Sequence, residues 1–302
     1  MHRLSGIGFV LGLVLGLTAQ AHGDGGAFCE LTPCVPGAVT RRVLTRPVQV
    51  GGISCKQGQE LGTDAKQRVV FCTTAKAADV DGLPIAAAAY TLFHPNGRVY
   101  ETHLRAKVEL TLADHSKVTC GADLIALTEE GKLRYCQLAG PRATAPRPRV
   151  GEGISFHPDG RIAGLTLDEP HGVAGLVLPA GASAVWDAKG ALVGGHAPDP
   201  IQAGKLSIQY DFVLHPQGRL KAIELAAAAK IQGNDFPARA KLEFRDDGSL
   251  ERAEYVVKHG FMPHGEMWTD TLHATYDVTG KRTGSTTEHW LAPSSPHRHG
   301  IK

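Results

Sequence analysis

After its first two dozen residues the chain contains no long apolar run. A helix needs about twenty apolar residues to cross a bilayer core, so no transmembrane segment is expected in the mature chain. It also lacks an excess of charge of either sign, with 32 Lys and Arg against 30 Asp and Glu. A near-neutral chain is not steered toward nucleic acid by its overall field. G-x-S-x-G, H-E-x-x-H and P-loop patterns are all missing, so no common hydrolase, zinc-protease or nucleotide signature is present. The cysteines show neither a Cys-x-x-Cys nor a paired zinc spacing. The acidic pairs Glu129-Glu130 and Asp246-Asp247 fall in turn-like segments, where solvated loops explain them. No catalytic residue and no cofactor is therefore assigned, and the chain is read as non-enzymatic.

What is present begins with the N-terminus. Met1-His2-Arg3 is a short basic start, Leu4 to Leu17 is apolar apart from Ser5 and glycines, and Ala19-Gln20-Ala21 is a small-x-small triplet. That is the pattern of a signal peptide over 1–21, cleaved after Ala21. The run is too short for a membrane anchor, and no cysteine follows the cleavage site to carry a lipid. The expected location is secreted or periplasmic. Residues 22–47 form an N-terminal segment with Cys29 and Cys34, and 291–302 a disordered tail.

Between them, residues 48–290 read as about eight tandem copies of one unit. Phe93-His94-Pro95-Asn96-Gly97-Arg98-Val99 is nearly repeated at Phe156 to Ile162, Leu214 to Leu220 and Phe244 to Leu250. Looser copies centre on Gly131, Gly190 and Gly280, and an eighth has Gln67 in place of the glycine. These anchor residues lie 28–34 positions apart along the chain. In His-Pro-Asn-Gly, proline presets φ, asparagine suits the next position, and glycine accepts a left-handed backbone. That predicts a type I turn closed by a G1 bulge, hence a β-hairpin. A mostly bulky residue sits four before each anchor, from Thr63 and Phe93 to Tyr276, and should form a core column. After the turn, apolar residues recur at +2, +5 and +7, and the odd step predicts a bulge in the outgoing strand. A shorter strand precedes each hairpin, as in Val50 to Cys55 and Val80 to Pro84. Ala86 to Ala89 and Ala226 to Ala229 favour helix by propensity, but the repeat register assigns them to strand or connection. The proline-rich stretch Arg142 to Arg149 fits within one period as an extended connection. The fold class is all-β, each repeat of about 30 residues being a short strand plus a hairpin.

The aromatic–turn–Gly–basic–aliphatic signature of Phe93 to Val99 resembles the MORN-type repeat and its variants in bacterial exported and antitoxin-associated proteins. The period here is longer than that of MORN units, and their second glycine–acid pattern is not evident. The resemblance implies an elongated, twisted β-meander used as a scaffold or binding surface, with no enzyme activity.

Six cysteines in an exported chain point to disulfides. Cys72 and Cys136 both lie five after their anchors, while Cys55 and Cys120 lie twelve and eleven before theirs. Two copies thus carry one pair in one place, which predicts Cys55–Cys72 and Cys120–Cys136. Cys29–Cys34 follows by elimination. In other copies the first slot holds Pro84 or Pro179.

Six anchors are followed by a cation: Arg68, Arg98, Lys132, Arg161, Arg219 and Lys281. Aligned along one rim, they would form a ladder for an anionic cell-envelope polymer such as lipopolysaccharide or an acidic glycan. The other reading is charge that keeps hairpin ends soluble and edges unpaired. A protein partner stays open beside the polymer. The two methionines of the mature chain, Met262 and Met267, flank His264, with His259 just before. Thioether and imidazole together suit copper. Three functions are carried forward: an exported binding or scaffold protein, an extracytoplasmic copper protein, and a hydrolase with a cryptic site.

Overall fold

The computed structural model describes residues 40–142, 146–261 and 267–291. The predicted signal peptide, Cys29, Cys34, Met262, His264 and the tail from 292 lie outside the described residues. Among the described residues there are 27 strands and no helix. They fall into two compact units. One runs to Glu169 and includes Val185–Gly190; the other comprises Pro170–Ala184 and the chain from Ala191.

The first unit is an antiparallel meander. Thr40–Val43 pairs with Glu60–Thr63, and the order continues through Val69–Thr73, Tyr90–Phe93, Val99–His103, Lys117–Leu127, Leu133–Leu138, Gly153–Phe156 and Ile162–Thr166. The second unit repeats the arrangement from Leu192–His196 through Leu206–Leu214, Leu220–Leu225, Lys241–Phe244, Leu250–Phe261 and Met267–Tyr276 to Arg282–Leu291. Within each hairpin the strands are joined by a tight turn, too short for a crossover, whereas the links from Val43 to Glu60, Thr73 to Tyr90 and Leu225 to Lys241 each carry a small hairpin of their own.

The turns have the predicted chemistry. Gly97, Gly131, Gly160, Gly190, Gly218, Gly248 and Gly280 all have φ between 81° and 88°. At the second hairpin the Gly97 N–H donates to the His94 carbonyl and the His94 N–H to that of Arg98, both at 2.8 Å. The predicted bulge recurs at one place. Phe93 opposes Val99 while Leu92 opposes Glu101, leaving Tyr100 unmatched. The same step leaves out Val70, Arg134, Ala163, Lys221, Glu251 and Thr283, each three residues after its anchor. All eight residues of the predicted column, from Thr63 to Tyr276, are buried. The inward pattern stops in the last copy, where Arg282–Leu291 is exposed along its whole length.

The leading element carries more than one short strand. Val48–Val50 pairs with Ile53–Cys55, Ala78–Val80 with Leu83–Ile85, His171–Val173 with Leu176–Leu178, and Ala229–Ile231 with Asn234–Phe236. Both residues of each connecting turn have positive φ, including Asp81, Ala174 and Gln232. That is the type I′ pattern, whose twist matches the flanking strands. The register also moves one assignment. Cys55 corresponds to Ile85 and Leu178, each opposite the first residue of its small hairpin. Pro84 and Pro179 are one residue off. A further left-handed position falls nine before the anchor, at Gly58, Ala88, Gly151, Gly181 and Arg239. It places the Ala86 to Ala89 stretch in a turn held by Thr74, whose hydroxyl donates to the Ala86 carbonyl and accepts from the Ala89 N–H.

Gln67, with φ 61°, is the one anchor with a Cβ in the left-handed region. We predict that Gln67→Gly raises stability by about 0.5–1 kcal/mol, strain relief outweighing the added freedom of the unfolded chain. Gly218→Val should lower it by about 1–2 kcal/mol. Urea unfolding of both variants checks this, and a Gln67→Gly protein no more stable than wild type would contradict it.

Candidate binding surfaces

Four of the six rim cations are engaged with the following copy. Arg98 donates through one terminal nitrogen to the Glu130 carbonyl at 2.9 Å, Lys132 to that of Pro158 at 3.4 Å, Arg161 to that of Ala188 at 3.2 Å, and Arg219 to that of Asp246 at 2.9 Å. Each acceptor lies one or two residues before the next anchor. Acids stand close by: Asp81 lies 3.7 Å from Arg98, and Asp159 lies 3.5 Å from Arg161. Arg68 turns back onto Asp64 at 2.6 Å, and its hydrogen bonds hold that carboxyl below the usual range. Lys281 contributes its main-chain N–H to the Asp277 carboxylate. A guanidinium has five donors, so the exposed arginines retain capacity toward solvent after making these bonds.

A second set of ties starts three residues before the anchor. His94 Nε2 meets the Leu127 carbonyl at 3.1 Å, His157 Nε2 that of Trp186 at 3.1 Å, and His215 Nε2 that of Phe244 at 2.8 Å. A carbonyl only accepts, so the ring proton is assigned to Nε2 in each. Arg245 takes the same role toward the Tyr276 carbonyl. In the remaining copies this slot holds Asp64, Thr128, Asp187 or Asp277, whose side-chain oxygen instead accepts from N–H groups of its own turn. One position therefore closes its own turn or reaches the next, and Arg245 does both.

The bulge residues build a surface that sequence reasoning missed. Val70, Tyr100 and Arg134 line one cleft of about 330 Å³ in the first unit, together with Asp64, Arg68, Val69, Leu92, Phe93, His94 and Pro95. The Arg134 guanidinium lies over the Tyr100 ring, 5.7 Å from its centroid, and the His94 ring meets Tyr100 edge-on at 5.1 Å. Burial pushes the Glu101 carboxyl up, and the nearby Arg134 charge pulls it back. The unmatched +3 position was the available signal, because an extra residue re-aims its side chain.

The expected bridges are in place. Cys55–Cys72 and Cys120–Cys136 have Cα separations of 5.7 and 5.6 Å, within the range a disulfide needs. They mark a chain that matures in an oxidising compartment. Of the four metal candidates, His259 and Met267 are described. His259 opposes Thr269 and Phe261 opposes Met267, so His259 and Met267 share one face of their strand pair. Three close His–Asp pairs also escaped sequence reasoning: His196 Nδ1 to Asp211 at 2.9 Å, His215 Nδ1 to Asp246 at 2.5 Å, and His289 Nδ1 to Asp270 at 2.6 Å. Such a pair orients an imidazole, but nucleophilic catalysis also needs a hydroxyl or thiol at the other nitrogen. Among the described residues no hydroxyl is hydrogen-bonded to His289.

Comparison of the chain with known protein families and with curated proteins finds no match.

Proposed function

We propose that this is an exported, non-enzymatic repeat protein that acts as a binding scaffold for an anionic cell-envelope polymer. The observation that carries the reading is the row of Arg98, Lys132 and Arg161 in consecutive copies, each fixed by a bond to the next turn. A charged side chain already held in place loses less freedom when it binds. The row repeats at the period of the fold, as a polymer with repeating charge requires. The acids beside Arg98 and Arg161 keep each single contact weak, so affinity must come from many contacts at once. The signal-peptide pattern and the disulfides support export, and the resemblance to MORN-type units supports a scaffold role.

The test is retention on immobilised polygalacturonate at low ionic strength. We expect retention that fades as salt rises through about 0.1–0.2 M, where screening shortens to roughly 8–10 Å. A combined Arg98→Gln, Arg161→Gln, Arg219→Gln variant should elute at clearly lower salt. Wild type passing through unretained at low salt would rule out the polymer.

A further inference from the structure

The cleft built by the bulge column has a distinct chemistry from the rim. Its walls are apolar: Val69, Val70, Leu92, Phe93 and Pro95. Its volume of about 330 Å³ is at the small end of ligand pockets, suited to a single-ring compound. Two cations face it, in different states. Arg68 is neutralised by Asp64 through bonds of 2.6 and 2.8 Å. Arg134 forms no hydrogen bond or ion pair with a described residue; its guanidinium carbon lies over the Tyr100 ring, 5.7 Å from the centroid. A guanidinium held over an aromatic ring and without a hydrogen-bond partner has N–H groups available for a carboxylate, which it can bind as a two-pronged fork.

We propose that this cleft is a binding site for a small carboxylate with an apolar, single-ring body. The carboxylate pairs with the edge of Arg134, and the ring lies against the Val69, Val70 and Pro95 wall. An acidic sugar fits less well. The ring hydroxyls of a sugar each need a partner when buried, and two of the polar groups here are already committed, His94 Nε2 to the Leu127 carbonyl and Asp64 to Arg68. The site depends on which residues occupy three successive bulges. The corresponding positions in later copies are Ala163, Val193, Lys221, Glu251 and Thr283, and they do not reproduce the combination.

The experiment is fluorine NMR of 4-fluorobenzoate with the full chain, read as line broadening and displacement. We expect saturable broadening at millimolar ligand, at least fivefold weaker binding by Arg134→Gln, and unchanged binding by Arg252→Gln on the second unit. Arg134→Lys should fall between, keeping the charge and losing the fork. Neutral 4-fluorobenzyl alcohol should bind at least fivefold more weakly. Absence of broadening, equal binding by Arg134→Gln, or equal binding of the alcohol would overturn the proposal. Displacement of the probe by glucuronate as effective as by benzoate would overturn the choice of an apolar body.

Discussion

Replacing Cys120 and Cys136 together by alanine should lower the unfolding free energy by about 3 kcal/mol, and the Cys55/Cys72 pair by a similar amount. The bridges close segments with sequence separations of 16 and 17, and loops of that length restrict the unfolded chain by roughly that much. All four cysteines are fully buried, so the substitutions also leave small voids that add to the loss. Each bridge lies beside a main-chain pairing, Cys55 opposite Thr74 and Cys120 opposite Leu138. It therefore fixes the incoming side of a repeat against its outgoing strand. Denaturant unfolding with and without reductant measures the effect. Non-reducing peptide maps check the pairing independently, and a peptide joining Cys72 to Cys120 would refute it.

Gly195→Ala should cost about 3 kcal/mol, although it adds one methyl group and the backbone there needs no left-handed conformation. A Cβ at this position would stand 2.3 Å from the Ser183 carbonyl oxygen and 2.9 Å from the Phe212 ring. The carbonyl belongs to the main chain and cannot swing aside, and Phe212 is fully buried. Overpacking of this kind moves backbone, at the upper end of the usual range. Gly195 directly opposes Phe212 across its strand pair, as Gly62 opposes Phe71 and Gly260 opposes Trp268. The aromatic ring covers the glycine in each pair. Gly58→Ala makes a useful contrast: its Cβ meets nothing within 4 Å, so only the left-handed backbone is penalised. If Gly195→Ala melts within a degree or two of wild type, the packing account fails.

These glycine–aromatic pairs show where sequence reasoning reached its limit. The turn anchors were legible because asparagine or aspartate before glycine has a local meaning, and the bulge was legible because an alternating pattern slipped by one. The disulfides were legible because two copies carry cysteine at matching offsets. A glycine inside a strand has no such local meaning, since the ring that requires it comes from a neighbouring strand. The second left-handed turn was hidden because Ala88 and Arg239 occupy it as readily as Gly58, Gly151 and Gly181. The cleft was hidden for a related reason. Val70, Tyr100 and Arg134 look unremarkable one by one, and only the register brings three bulges side by side. The acceptors of Arg98, Lys132, Arg161 and Arg219 are main-chain carbonyls, which leave no trace in residue identity.

That last property bears on how such an array can change over generations. The ties from His94, His157, His215 and Arg245 end on the carbonyls of Leu127, Trp186, Phe244 and Tyr276. Four unlike side chains serve equally, because every residue supplies a carbonyl. Each tie requires that a following copy be present and in register, and the bond itself does not use the side chain of the accepting residue. Neighbouring copies are thereby released from co-adaptation at the seam. A duplicated copy arrives with acceptors its predecessor can already use, and an old copy can drift in sequence without breaking the bond that holds it.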